Sequence, residues 1–190
     1  SIIKVVSGIR RCGKSTLFRL FKDELLAEGV KPEQIISINF EELEYEPLRE
    51  YHALYQYILE RMQPDEMNYI FLDEIQHVDQ FHRVVDSLFV KENTDLYITG
   101  SNAYFMSSDI ATLLTGRYVE IQMLPLSFSE FYHSKYDGNQ YSLIPAYESY
   151  LRESSFPYTQ QLGGEDFDIQ EYLRGLYNTC LLYTSPSPRD

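Results

Sequence analysis

The sequence predicts an α/β fold in which a five-stranded parallel sheet is covered by helices on both faces. Three observations lead to this prediction. Short apolar runs alternate with stretches of helical periodicity along residues 1–131, a glycine-containing loop at residues 8–15 follows the first run, and a later run ends in the adjacent acids Asp73 and Glu74. Strands that alternate with helices require crossover connections, and these connections bury a parallel sheet on both faces.

The first strand and the first helix flank the loop. Residues 1–7 are rich in β-branched side chains, which favours a strand. Residues 15–28 carry apolar side chains at helical spacing, namely Leu17, Leu20, Phe21 and Leu25. A strand, a glycine loop and a helix N-terminus in this order direct backbone N–H groups and the positive end of the helix dipole toward an anion.

The loop reads Gly-Ile-Arg-Arg-Cys-Gly-Lys-Ser, which is the P-loop pattern of a glycine, four free positions and Gly-Lys-Ser. Its glycines let backbone N–H groups approach phosphate oxygens. The Lys14 ammonium is expected at the β- and γ-phosphates, and the Ser15 hydroxyl at Mg²⁺. The alternative is a glycine turn that precedes Lys-Ser by chance. We predict that a nucleoside triphosphate binds Gly8, Ile9, Arg10, Arg11, Cys12, Gly13, Lys14, Ser15 and Thr16.

The remaining elements follow from the same alternation between short apolar runs and apolar residues at helical spacing. Further strands are predicted at residues 34–40, 69–73, 95–99 and 118–123, and further helices at 51–62, 81–89 and 110–114. In an open parallel sheet, ligands bind at the carboxyl ends of the strands. The loop and the two acids are therefore expected at one edge of the sheet.

Asp73 and Glu74 follow four apolar residues, which is the Walker B arrangement. Asp73 is expected to hold Mg²⁺ together with Ser15, and Glu74 to polarise the water that attacks the γ-phosphate. A buried strand that merely ends in an acid is the alternative. The acid directly after Asp73 favours a hydrolytic ATPase over GTPases and small-molecule kinases.

Polar residues also follow the predicted strand at residues 95–99. We predict that Asn102 hydrogen-bonds the attacking water or the γ-phosphate, with Ser101 as the second choice. The sequence Gly-Ser-Asn is also typical of a turn, and a turn does not preclude this role.

Arg117 stands between the short predicted helix at 110–114 and the fifth strand. In ring-forming ATPases an arginine at this place can reach the γ-phosphate of a neighbouring subunit, so Arg117 is a candidate for this role in a homo-oligomer. The alternative is an arginine that interacts with the dipole at a helix C-terminus.

In combination, five motifs over about residues 1–178 resemble the prokaryotic AAA-type ATPase family, in which a C-terminal domain of unknown function follows the ATPase core. The motifs are residues 8–15, 72–76, 98–102, 116–117 and 124–131. The resemblance implies an AAA+-like core that uses ATP and Mg²⁺. One departure is Ser-Ser-Phe-Pro at residues 154–157, where the family leads us to expect a Gly-Gly-Phe-Pro-like turn.

The predicted organisation has three parts. Residues 1–131 form the ATPase core, and residues 132–179 form a helical extension that leads to a missing C-terminal domain. Residues 180–190 contain two prolines and resemble translated sequencing-adapter sequence. We therefore expect this tail to be non-native.

Composition narrows the classes of partner. Asp and Glu number 29 against 16 Lys and Arg, which gives a net charge of −13. Broad nucleic-acid binding requires a basic face and is therefore disfavoured. No apolar run approaches the length of about 20 residues that a membrane span needs. Two cysteines, Cys12 and Cys180, do not indicate a disulfide framework, so we expect a cytoplasmic protein.

Three function classes remain from the sequence. The leading one is Mg²⁺-dependent ATP hydrolysis that drives a conformational or assembly change. The second is a nucleotide-gated switch or scaffold with negligible turnover. The third is a phosphotransferase, which the Asp73-Glu74 pair disfavours.

Overall fold

The computed structural model describes residues 2–101, 116–136, 142–161 and 166–181. The strands are β1 (Ile3–Gly8), β2 (Ile35–Asn39), β3 (Asn68–Asp73), β4 (Thr94–Ser101) and β5 (Tyr118–Met123). The α-helices are α1 (Lys14–Ala27), α2 (Tyr51–Arg61), α3 (Phe81–Phe89), α4 (Phe128–Tyr136), α5 (Leu143–Glu153) and α6 (Asp166–Leu181). Short 3-10 helices occupy Pro32–Gln34, Leu43–Arg49, Ile75–His77 and Pro157–Gln161.

The described residues fall into two compact units. The first comes from Ser1–Gly8 and Lys14–Gln122, and the second from Ile9–Gly13 and Met123–Asp190. The division at residues 131 and 179 predicted from the sequence stays a prediction. Among the described helices, none combines the length and the apolar character that crossing a bilayer would require.

A five-stranded sheet organises the first unit, with the strand order β2-β3-β4-β1-β5. The pairs β1–β4, β3–β4 and β2–β3 are parallel. At the β5 side, the backbone N–H of Ile3 donates to the carbonyl of Arg117 at 2.9 Å. The predicted α/β class is confirmed, and every predicted strand is found within two residues of its expected bounds. The helix predicted at 110–114 lies outside the described residues.

Helices cover both faces of the sheet because alternate strand residues point in opposite directions. On one face, Phe71 of β3 stacks on Tyr97 of β4 at a centroid distance of 4.8 Å, and Phe18 and Phe21 of α1 pack on them edge-on or tilted. On the other face lies a buried cluster of β-strand, α2 and α3 residues that includes Ile70, Leu72, Leu54, Ile58, Val84, Val85 and Leu88. The aromatic side chains of α1 pack on the sheet and so fix the position of this helix, which begins at Lys14.

The second unit contains α4, α5 and α6. Phe131 of α4 is buried and meets the ring of Tyr150 of α5 edge-on at 5.3 Å. The Tyr150 hydroxyl donates to the carbonyl of Leu126 at 2.9 Å. Burial of the Glu153 carboxyl raises its pKa, but hydrogen bonds from Lys135 and Ser149 outweigh burial and hold the pKa below its ordinary value.

Ser154 ends α5 with φ 72° and ψ 165°, a conformation that is essentially restricted to glycine. This is the first residue of the Ser-Ser-Phe-Pro segment at residues 154–157, where the family resemblance leads us to expect glycine. The backbone of this turn thus has a geometry that suits glycine, and the serine side chain is strained in it.

We expect Ser154→Gly to stabilise the second unit by about 1–3 kcal/mol, because glycine adopts this backbone region without steric cost. Hydrogen exchange of the α5 amides measures the gain locally. The matched control is Ser155→Gly, whose backbone lies outside the left-handed region and for which we expect no gain. Equal protection in Ser154→Gly and the parent chain would contradict the strain.

Candidate functional site

The end of one strand and the start of one helix bring buried charged groups together in the first unit. The α1 helix begins at Lys14, and β3 ends at Asp73, with Glu74 directly after it. Lys14 is 4% exposed, and the two acids are 6% exposed each. Charged side chains are rarely buried this deeply unless they are paired.

Lys14 is the cation of this group. Its Nζ lies 3.4 Å from Oε1 of Glu74 and donates a hydrogen bond of 3.3 Å to the carbonyl of Gly8. The structure therefore brings together Lys14 of the predicted P-loop with Glu74, the predicted general base. A buried ion pair of this kind gains little net stability, because desolvation of both charges opposes their attraction.

Thr99 of β4 connects the two acids and was missed by the sequence reasoning. Its hydroxyl Oγ1 donates to Oδ1 of Asp73 and accepts a 2.9 Å hydrogen bond from the backbone N–H of Glu74. The side chain is completely buried. A threonine directly after the run Leu-Tyr-Ile at residues 96–98 was the available signal, but its use depended on knowing that β4 is the neighbour of β3.

Glu74 has a left-handed backbone, with φ 55° and ψ 48°. Few residues other than glycine, asparagine and aspartate adopt this region, and strain of this kind concentrates at functional sites. In the 3-10 helix that follows, Gln76 Nε2 donates to Oε2 of Glu74. Gln76 is the second residue of the site that the sequence reasoning did not single out for a role.

The first turn of α1 presents two exposed hydroxyl side chains, those of Ser15 and Thr16. Ser15 is the predicted partner of Asp73 at Mg²⁺. Across the described parts of the chain, no group of three or more His, Cys, Asp or Glu side chains could hold a metal ion by itself.

The loop residues Ile9–Gly13 belong to the second unit and join β1 to α1 through the chain. Ile9, Arg10 and Arg11 are exposed, whereas Cys12 is buried. Gly13 has φ +107°, a value that disfavours any side chain. Within the second unit, the guanidinium of Arg11 lies 5.2 Å from the centroid of the Tyr172 ring.

Arg117 lies apart from Lys14 and Glu74. Its carbonyl accepts a hydrogen bond from the backbone N–H of Ile3 at the start of β1. Ile3 stands five residues before Gly8, which corresponds to a length of about 17 Å along the strand at about 3.3 Å per residue. Its Nη1 lies 2.7 Å from Oδ1 of Asp86. The catalytic role of Arg117 stays a prediction. Asn102 lies outside the described residues, and so does the Ser101 side chain.

A family model for the AAA domain matches residues 1–132. An uncharacterized protein of Haemophilus influenzae is 44% identical over 157 residues, which cover 82% of this chain and 39% of that protein. An uncharacterized protein of Methanocaldococcus jannaschii is 31% identical over 191 aligned positions, which cover 92% and 41%. The chain thus spans about two fifths of the length of these relatives.

Solved structures resemble the chain in fold. Saccharomyces cerevisiae Hsp104 in complex with casein gives a TM-score of 0.53 at 13% identity, covering 96% of this chain and 35% of Hsp104. A DNA polymerase III gamma subunit-related protein of Thermotoga maritima gives 0.50 at 12%, covering 93% and 57%. AMPPCP-bound DnaA of Aquifex aeolicus gives 0.50 at 10%, covering 96% and 60%.

The match to the family model covers more than two thirds of the 190 residues, and the five strands together with Lys14, Asp73 and Glu74 lie within it. The predicted family is confirmed: the chain belongs to the AAA domain family.

Proposed function

We propose that this chain binds ATP with Mg²⁺ and hydrolyses it, and that hydrolysis drives a conformational or assembly change of the longer protein. One observation carries the proposal. A buried lysine at the start of α1 lies 3.4 Å from the second of two buried acids at the end of β3. A cation that could bind phosphate, a carboxylate that could bind a metal ion and one that could accept a proton would then lie within one small region.

The phosphate-binding role rests on Lys14 and the start of α1. The helix begins at Lys14, so the N–H groups of its first turn and its dipole favour a negative charge at the loop. The Gly13 backbone avoids a side chain where phosphate would have to come close. Lys14 would exchange its contact with Glu74 for one with the β- and γ-phosphates.

Ser15 and Asp73 would hold the magnesium ion. Mg²⁺ is usually bound by one or two protein oxygens together with phosphates and water, and not by a cage of side chains. This fits a site with one exposed hydroxyl and one buried carboxylate, whose orientation the Thr99 hydroxyl fixes. When bound, the ion would neutralise charge on the phosphates.

Glu74 would act as the general base. Its carboxylate would accept a proton from water while the water oxygen bonds to the γ-phosphorus and the bond from phosphorus to the leaving ADP oxygen breaks. The position suits this role because the backbone of Glu74 is fixed by Thr99 and its side chain by Lys14 and Gln76.

Arg117 would act in a homo-oligomer. Its backbone contact with Ile3, about 17 Å along β1 from Gly8 at about 3.3 Å per residue, supports a role at the site of a neighbouring copy. Arginines that a partner provides in this way stabilise negative charge on the transferred phosphoryl group. In the single chain, Asp86 pairs with this guanidinium.

Lys14→Ala is expected to weaken ATP binding about 10- to 150-fold, because a charge-assisted contact to phosphate contributes about 1.5–3 kcal/mol. Equilibrium titration with a fluorescent ATP analogue measures the loss. Lys22→Ala is the matched control, since Lys22 lies on the same helix and its Nζ donates to the Ser37 hydroxyl at 2.8 Å. Unchanged affinity in Lys14→Ala would refute the phosphate role.

Glu74→Gln is expected to bind ATP with the parent affinity and to lose hydrolysis. The amide is nearly isosteric with the carboxylate but is a far weaker proton acceptor. Single-turnover hydrolysis with radiolabelled ATP measures the chemical step separately from binding. Turnover at the parent rate would show that Glu74 is not the base and would favour the switch with negligible turnover.

Arg117→Ala is expected to keep ATP binding and to lose hydrolysis in the full-length protein, because such arginines contribute about 10³–10⁵ in rate. Mixing it with Glu74→Gln protein should restore part of the activity, since an intact Glu74 site then faces an intact Arg117. Asp86→Ala is the control for the ion pair within the chain. If both variants lose activity equally and mixtures never recover, the role of Arg117 is structural.

A further inference from the structure

Gln76 contacts the carboxylate of Glu74 from within the same turn. The 3-10 helix Ile75–His77 begins directly after Glu74, whose backbone is left-handed. Gln76 Nε2 therefore reaches Oε2 of Glu74, while Lys14 lies at Oε1. The two side chains between them contact both carboxylate oxygens of the proposed base.

The carbonyl oxygen of the Gln76 amide argues against a purely structural role for this side chain. Its Oε1 atom is buried and has no hydrogen-bond partner among the residues that the structure describes. A buried acceptor without a partner lowers stability, and an apolar side chain of similar volume would avoid that loss. An amide stands here although stability alone favours a hydrocarbon side chain, and such a local conflict is typical of a functional position.

The contact becomes more important when Lys14 takes up its proposed role. The Lys14 ammonium then neutralises phosphate and is no longer committed to Glu74. Of the two described side chains that contact this carboxylate, Gln76 is the one that remains. Its neutral amide donates a hydrogen bond and so restricts the rotation of the carboxylate without cancelling its negative charge.

We propose that Gln76 is a positioning residue for hydrolysis. It holds the Glu74 carboxylate in the orientation from which that group accepts the proton of the attacking water, and it does not contact the nucleotide itself. The inference rests on the proposed function, and it adds a residue that acts through Glu74.

The test replaces Gln76 by methionine, which keeps the volume and removes both the donor and the unpaired acceptor. We expect kcat to fall about 10- to 100-fold, as misplacement of a catalytic group does, with KM and ATP affinity within twofold of the parent. The thermal midpoint without nucleotide should equal or exceed that of the parent. His77→Ala is the matched control, because His77 is an exposed residue of the same 3-10 helix and its removal should leave all four quantities unchanged.

Gln76→Ala provides a second variant if the methionine does not fit. If the parent chain hydrolyses ATP and either folded variant has the same kcat as the parent, this inference is overturned and the proposed function stands. A raised KM with an unchanged kcat would also overturn it, because Gln76 would then serve binding. A parent chain with no more turnover than Lys14→Ala would overturn the proposed function, and this inference with it.

Discussion

The position of β4 between β1 and β3 is the constraint on which the site depends. β1 leads into the glycine loop, and β3 leads into the two acids, yet these strands do not pair with each other. β4 fills the space between them, and its Thr99 hydroxyl meets both Asp73 and the backbone of Glu74. Because parallel pairing fixes the register, the lysine and the acids meet only if all three strands stay aligned.

Most of this architecture could be predicted from periodicity and from the two motifs, whereas part of the site could not. The strands, α1, and the roles expected of Lys14, Asp73 and Glu74 follow from local sequence. To identify Thr99 as a site residue, one must know the strand order, which is a property of the whole sheet and not of any short segment. To identify Gln76, one must know that the backbone of Glu74 is left-handed. The local sequence does not predict this conformation, since glutamate seldom adopts it.

Glu74 and Ser154 both have unusual backbone conformations, but different contacts hold them in place. Glu74 is held by a hydrogen bond to its backbone and by two contacts to its carboxylate. At Ser154 the backbone N–H continues the bonding of α5 to Tyr150. The strain at Glu74 is thus imposed by side chains that face the proposed chemistry. At Ser154 the carbonyl accepts a hydrogen bond of 3.5 Å from Thr159 Oγ1, and a glycine at this position would relieve the strain.

The burial of Lys14, Asp73 and Glu74 also has an electrostatic consequence. With both acids ionised, the three buried groups carry one net negative charge in a region where water screens little. A bare polyphosphate would approach this region against repulsion. Under the proposed function, entry as a complex with a divalent cation would reduce that repulsion, so the arrangement would favour the metal-bound form of the nucleotide over the bare one.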